Sequence, residues 1–203
     1  MNFKEIQNGV TYLINNDKKL AKVITAAGKC NLKPHRNYYL SLLEAIIGQQ
    51  LSVKAASSIY NKFTAFFLEY PTPINIIETP HEILRGLGLS NAKVRYVKDL
   101  AEKVEDGTIH FNKLNKLSDE QIIQLLTKVK GIGIWTAHMF LIFTLGRPNV
   151  LPTGDLGIKK AIQRVYELDE LPQEEGVEII AAKYKWDPYC SLASWYLWKS
   201  LEF

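Results

Sequence analysis

Two glycines flank one isoleucine in the run Leu126-Thr127-Lys128-Val129-Lys130-Gly131-Ile132-Gly133-Ile134-Trp135-Thr136-Ala137, and a single carboxylate, Asp155, follows further on. Helical patterning on both sides makes Gly131-Ile132-Gly133 a tight turn between two helices. Such a turn points backbone N–H groups outward, where a phosphate oxygen accepts them. The dipole of the second helix adds attraction for an anion without any preference for base sequence. Lys128 and Lys130 precede the turn and read either as phosphate contacts or as a solvated face. A nucleotide-binding glycine loop is a poor match, because this turn follows a helix, and the Gly-x-Gly-x-x-Gly and Gly-Lys-Ser/Thr signatures are absent. A backbone clamp combined with one acid points to chemistry on a polynucleotide, at one nucleotide.

Composition permits this and excludes several alternatives. The chain has 203 residues, 47% apolar and 23% charged, with a formal charge of +4. It is long enough for a sizeable core. A polyanionic partner is allowed by the charge and not demanded by it. Cys30 and Cys190 are the only cysteines, so a four-thiolate zinc or iron–sulfur site is excluded, and two free thiols in a reducing compartment are expected. His35, His81, His110 and His138 have no metal-ligand spacing, and His138 reads as a core histidine. No signal peptide or membrane span is apparent, so no membrane association is expected.

The elements that must position these residues read almost entirely as helices. Helical spacing covers Phe3–Leu13, Lys18–Ala27 with Gly28 as its cap, and Tyr38–Ile47 ending at Gly48, the last after a loop from Asn31 to Asn37. Ser52 caps a helix through Phe67 that Pro71 and Pro73 close off. Pro80–Arg85 is stopped by Gly86 and Gly88, and Ser90 caps Asn91–Glu105, whose lysines are expected to be mostly exposed. Ser118-x-x-Gln121 has the spacing of a capping box and opens the helix that enters the glycine turn. Asp155–Tyr166, Gln173–Lys183 and the aromatic Pro188–Leu201 complete the set, with Thr108–Phe111 the one candidate strand. The expected fold is all-α, with about ten helices in two lobes around a cleft.

Five segments together resemble a known family. They are Ile47-Gly48-Gln49-Gln50-Leu51-Ser52-Val53, Leu87-Gly88-Leu89-Ser90-Asn91-Ala92-Lys93, the glycine hairpin, Leu151-Pro152-Thr153-Gly154-Asp155, and Trp186-Asp187-Pro188-Tyr189. In this order they resemble the helix–hairpin–helix DNA glycosylase superfamily, most of all its alkylation-repair 3-methyladenine DNA glycosylase II branch. The resemblance runs from Tyr38 to the C-terminus. It implies one catalytic unit over residues 1–203, with lobes of about 1–37 plus 156–203, and about 38–155. Relatives often carry an extra N-terminal β-rich domain, for which there are too few residues before Tyr38, so a minimal catalytic version is expected.

The resemblance implies roles as well. Asp155 matches the catalytic aspartate, which stabilises positive charge developing on the sugar as an N-glycosidic bond breaks. Its position after Thr153-Gly154 also makes it an ordinary helix N-cap, and both roles are compatible. Trp135 and Trp198 are implied to line a base pocket, where an indole face attracts a cationic alkylated purine by roughly 0.5–2 kcal/mol. Met139 stands where relatives carry a tyrosine, and Tyr38 either lines the same pocket or packs nearby. The loop Gly48-Gln49-Gln50 is implied to be the wedge that fills the gap left by a flipped base, with Gln50 at the intercalating position. Gly131, Gly133, Lys128, Lys130, Thr136, Gln49, Gln50, Ser52, Ser90 and Lys93 form the implied DNA-binding set, with Ser52 and Ser90 also readable as caps. Strand-nicking relatives use a lysine where this chain has Trp135, so a monofunctional enzyme without lyase activity is expected. No cofactor and no side-chain metal site is implied, although a monovalent cation at the hairpin carbonyls is, as in relatives. The expected partner is double-stranded DNA with alkylated bases, bound by a monomer in the cytoplasm near the nucleoid, or in a nucleus. Two other readings stay open: the same fold acting on deaminated or oxidised purines, and a non-catalytic DNA-binding module.

Overall fold

The computed structural model describes residues 1–34 and 37–203; His35 and Arg36, and with them part of the loop expected over Asn31 to Asn37, lie outside the described residues. Among the described residues the fold is all helical: twelve α-helices, one 3₁₀ turn and one π segment, with no strand. The chain divides into two compact units, Met1–Pro34 with Leu141–Phe203, and His35–Phe140. The expected lobes placed residues 141–155 with the hairpin, whereas this division places them, Asp155 included, with the terminal helices.

The unit of the chain ends holds α1 (Phe3–Asn16), α2 (Lys18–Ala27), α10 (Leu156–Tyr166), α11 (Glu174–Lys183) and α12 (Cys190–Ser200). Helix α12 is apolar nearly all round, buries Leu192, Trp195, Tyr196 and Leu197, and packs on α1, α2 and α10. Asp17, wholly buried, ties this unit together. Its Oδ1 accepts the N–H groups of Lys19 and Leu20 and so caps α2, while its Oδ2 accepts Trp186 Nε1–H at 2.9 Å and the Tyr166 hydroxyl. A buried carboxylate is tolerated because every donor around it is aimed at it. The thiols of Cys30 and Cys190 are free, and burial pushes the Cys190 thiol up to about 12.

The other unit holds α3 (Tyr38–Gly48), α4 (Val53–Phe66), α5 (Pro73–Glu78), α6 (His81–Gly86), α7 (Asn91–Glu105), the 3₁₀ turn Phe111–Lys116, α8 (Asp119–Leu126) and α9 (Ile134–Met139). Helix α7 is its axis, packed by α3, α5 and α6. The π segment Phe140–Leu145 then carries the chain into the terminal unit. The caps read from sequence form as expected: Ser52 accepts from Ala55 N–H, Ser90 from Lys93 N–H, and Ser118 with Gln121 closes a reciprocal capping box.

Three expectations change. Pro73 opens a helix instead of only ending one, because proline suits the first helical position and Thr72 caps it. Thr108–Phe111 is not a strand: Ile109 is buried, Phe111 begins the 3₁₀ turn, and a lone short extended segment has no partner to pair with. The lysines of α7 are largely engaged. Lys93 and Lys98 donate to main-chain carbonyls, and Lys103 pairs with Asp99 at 3.0 Å.

Candidate nucleic-acid interface and acid site

The hairpin between α8 and α9 is a turn closed by Ile132 N–H donating to Val129 C=O at 3.0 Å, with both side chains buried beneath it. The two glycines serve different needs. Gly131 sits at φ +84°, and an added Cβ would stand 2.2 Å from Tyr96 Cδ2, so both conformation and space demand glycine there. Gly133 has extended backbone, φ −95° and ψ 177°, and a Cβ would meet nothing within 4 Å. Its bareness is therefore unexplained by the protein itself and suits the close approach of an external group.

This separates two substitutions. Gly131→Ala combines strain and overpacking, worth about 2–3 kcal/mol, and is expected to lower the melting temperature by roughly 5–10 °C. Gly133→Ala is expected to leave the melting temperature nearly unchanged and to weaken duplex binding several-fold. Differential scanning calorimetry and fluorescence anisotropy on the same two variants check both halves.

The turn is held from below by α7. Lys130 N–H donates to the buried Asp99 Oδ2 at 2.9 Å, and the Lys130 ammonium lies 3.3 Å from Oδ1. Burial alone would raise the Asp99 pKa, but the Lys130 N–H and the two ammonium groups of Lys103 and Lys130 outweigh it and hold the carboxyl below its ordinary value. Lys130 is therefore partly committed to an internal acid, while Lys128 is exposed. Thr136, expected among the DNA contacts, has its side chain buried at the close-packed base of α9.

The Gly48–Leu51 loop lies against this turn. Gln49 Nε2–H donates to Gly131 C=O at 2.7 Å, and the Lys93 ammonium donates to the carbonyls of Ile47 and Gln49 at 2.7 and 2.8 Å. Lys93 and Gln49 thus spend their polar ends inside the unit, and burial lowers the Lys93 pKa. Gln50 behaves differently: it is exposed at the loop tip with φ +56°, a left-handed conformation that a non-glycine residue adopts at a cost of roughly 1 kcal/mol. Trp135, 52% exposed, lines a recess of about 600 Å³ together with Met139, Gln49, Gln50 and Leu51. Tyr38 is not part of that lining. It stands edge-on to Phe111 and Phe140 in an aromatic cluster. Ser52 and Ser90 are exposed and accept N–H groups as caps.

Asp155 belongs to the terminal unit and begins α10. Its Oδ1 accepts Ile158 N–H at 2.8 Å, so it is an N-cap, and accepts Trp198 Nε1–H at 2.9 Å. It is 8% exposed. Trp198, expected to line a base pocket, gives its one hydrogen-bond donor to this carboxylate, with its ring beside Phe143 at 5.6 Å between centroids. Gly157 makes the contact possible: a Cβ there would lie 2.9 Å from Asp155 Oδ1 and 3.1 Å from Trp198 Cδ1. The preceding loop is pinned by Ser191 of α12, whose N–H donates to Pro148 C=O and whose hydroxyl accepts Val150 N–H at 2.9 Å.

Gly157, Ser191, Asp99 and Tyr96 were not singled out in sequence. Gly157 left a trace, as a glycine in the first turn of a helix two residues after the key acid. Asp99 left a weaker one, as an acid four residues before Lys103 on α7. Ser191 left none. Among the described residues no cluster of His, Cys, Asp and Glu side chains suits a metal ion. What the turn offers a monovalent cation is main-chain oxygen: the Val129 and Gly131 carbonyls each accept one hydrogen bond and keep a second lone pair.

A turn of this construction, between two helices and beside a left-handed loop tip, defines a helix–hairpin–helix protein. The chain belongs to the HhH-GPD superfamily of base excision DNA repair proteins, whose profile matches residues 43–185. It is 36% identical to DNA-3-methyladenine glycosylase 1 of Schizosaccharomyces pombe, over 93% of this chain and 83% of that one. Against YfjP of Bacillus subtilis it is 37% identical over 81% of this chain, a span of 59% of that protein. Its structure is similar to that of S. pombe 3-methyladenine DNA glycosylase Mag1 in complex with abasic DNA, with a TM-score of 0.85, 32% identity and 97% of each chain covered. A Bacillus halodurans DNA-3-methyladenine glycosidase matches with a TM-score of 0.84 and 35% identity over 95% of this chain and 88% of that one.

Proposed function

We propose that this protein hydrolyses the N-glycosidic bond of alkylated, 3-methyladenine-type bases in double-stranded DNA and leaves an abasic site without nicking the strand. The observation that carries the reading is Asp155: one carboxylate, largely buried, oriented at the start of α10 by a main-chain N–H and held by an indole N–H. Breaking the bond leaves positive charge on the deoxyribose, and a fixed negative charge stabilises it more than water does because no reorganisation is needed. The base departs with the bonding electron pair, which neutralises its ring, and water then adds to the anomeric carbon and releases its spare proton to solvent. In the same reading the hairpin N–H groups bind the DNA backbone, Gln50 occupies the space of the displaced base, and the exposed Trp135 face receives a cationic purine.

The absence of lyase activity follows from Trp135 standing where a Schiff-base lysine would be needed. DNA is the partner that the Mag1 complex supports; action as a monomer, wherever the cell keeps its DNA, is part of the proposal. The test is incubation of the protein with duplex DNA methylated at purines. Release of free 3-methyladenine, intact strands after incubation and no borohydride-trapped adduct are expected. Release of only deaminated or oxidised purines from a parallel lesion panel would replace the substrate, and duplex binding without release of any base would reduce the protein to a DNA-binding module.

A further inference from the structure

Gln50 and the hairpin act on the same duplex in the proposed function, so the spacing between loop tip and turn has to be fixed. One face of α7 fixes it. Lys93, Tyr96 and Asp99 follow at three-residue steps and so share a side of the helix. Lys93 holds the Gln49 carbonyl, one residue before the tip, together with the Ile47 carbonyl at the end of α3. Tyr96 presses its ring against Gly131, where an added Cβ would come within 2.2 Å. Asp99 holds the next amide back, Lys130 N–H, at 2.9 Å. The Gln49 side chain closes the circuit directly, donating to Gly131 C=O at 2.7 Å.

We infer that Gln49 is a positioning residue for base extrusion: clamped between Lys93 and Gly131, it registers the Gln50 wedge to the phosphate-gripping turn. This rests on the proposed function and names a role within it. The Gln49 backbone is fixed by one element and its side chain by another, so the left-handed tip at Gln50 has no freedom to drift from the turn. Truncating Gln49 cuts the side-chain tether between loop and turn while leaving the hairpin amides, Lys128 and Asp155 in place. Its effect should therefore fall on extrusion and not on binding to intact duplex.

The test uses Gln49→Ala, Gln50→Ala and the double variant, with Gln49→Glu as a version of equal size that lacks the donor. Extrusion is read from the fluorescence of 2-aminopurine placed opposite a tetrahydrofuran abasic analogue, and chemistry from release of 3-methyladenine under single-turnover conditions. The expected result is a fluorescence rise at least halved in Gln49→Ala and Gln49→Glu, a roughly tenfold slower release, and affinity for undamaged duplex within twofold of wild type. The double variant should match Gln50→Ala alone, because a residue that works by placing Gln50 has nothing to place once Gln50 is gone. Losses that multiply in the double variant, or a full fluorescence rise in both Gln49 variants, would overturn the inference. A wild-type protein that gives the fluorescence rise but releases no base would overturn the proposed chemistry and leave the extrusion result standing. If Gln49→Ala lowers the melting temperature sharply, Gln49→Glu carries the comparison.

Discussion

Asp155→Asn is expected to slow release of methylated base by about a thousandfold and to leave folding and duplex affinity nearly untouched. Asparagine is the informative replacement because of what Asp155 does besides carrying charge. A single oxygen, Oδ1, accepts both the Ile158 N–H that starts α10 and the Trp198 indole N–H. The asparagine carbonyl can accept both, and asparagine is as good an N-cap as aspartate. Helix start, loop and tryptophan therefore stay where they are while the negative charge disappears. Asp155→Ala, by contrast, removes the cap at about 1 kcal/mol and strands the Trp198 donor, mixing a structural loss with the catalytic one. Single-turnover release, anisotropy on an abasic duplex and a thermal melt separate the two variants. Equal release by wild type and Asp155→Asn would show that the carboxylate is a cap and nothing more.

What could be read along the chain and what could not follows from the range of each interaction. The Ser118–Gln121 capping box, the Ser52 and Ser90 caps and the positive φ of the turn at Gly131 are settled within three or four residues, so residue type and spacing reveal them. The motif residues Gln49 and Lys93 were also legible as members of a set, but not their duties. Each has a side chain equally suited to a phosphate or to a main-chain carbonyl, and the carbonyl that wins lies 82 residues from Gln49 and 44 or 46 from Lys93. Thr136 was placed in the DNA-binding set, yet its side chain is buried and lines the same recess as Trp135. Trp198 shows the same limit from the other side: an indole reads as a platform for a base, and only the fold turns its N–H toward Asp155. Asp99 also shows a local i,i+4 pair with Lys103, but its hold on Lys130 N–H, like that of Ser191 on Val150 N–H, reaches distant backbone that no local pattern encodes.

Gly157→Ala sets two effects of opposite sign against each other. Within a helix, glycine is worse than alanine by about 0.5–1 kcal/mol, so on propensity alone the substitution in α10 should stabilise the protein. Space argues the other way. The new methyl carbon would stand 2.9 Å from Asp155 Oδ1, 3.1 Å from Trp198 Cδ1 and 3.3 Å from Trp198 Nε1, closer than side-chain carbons normally approach. Neither neighbour is the loose end of a flexible chain. The carboxylate is fixed by Ile158 N–H, and the indole is a rigid ring set against Phe143. The cheaper adjustment is for the indole to move away, which breaks the 2.9 Å Trp198–Asp155 hydrogen bond and lets the carboxylate turn. Stability should consequently change little, with the melting temperature within about 3 °C of wild type. Activity should fall on the order of ten- to a hundredfold, since small misplacements of a catalytic group cost that much. Trp198→Phe keeps the ring and deletes the donor, and should produce a similar loss. If Gly157 matters only because it lets the indole reach the acid, the double variant is no slower than Trp198→Phe, and the Trp198 indole N–H resonance shifts in Gly157→Ala. A Gly157→Ala enzyme with full activity and an unshifted indole resonance would mean that the pocket at α10 yields to a methyl group, and that the contact between Trp198 and Asp155 tolerates it.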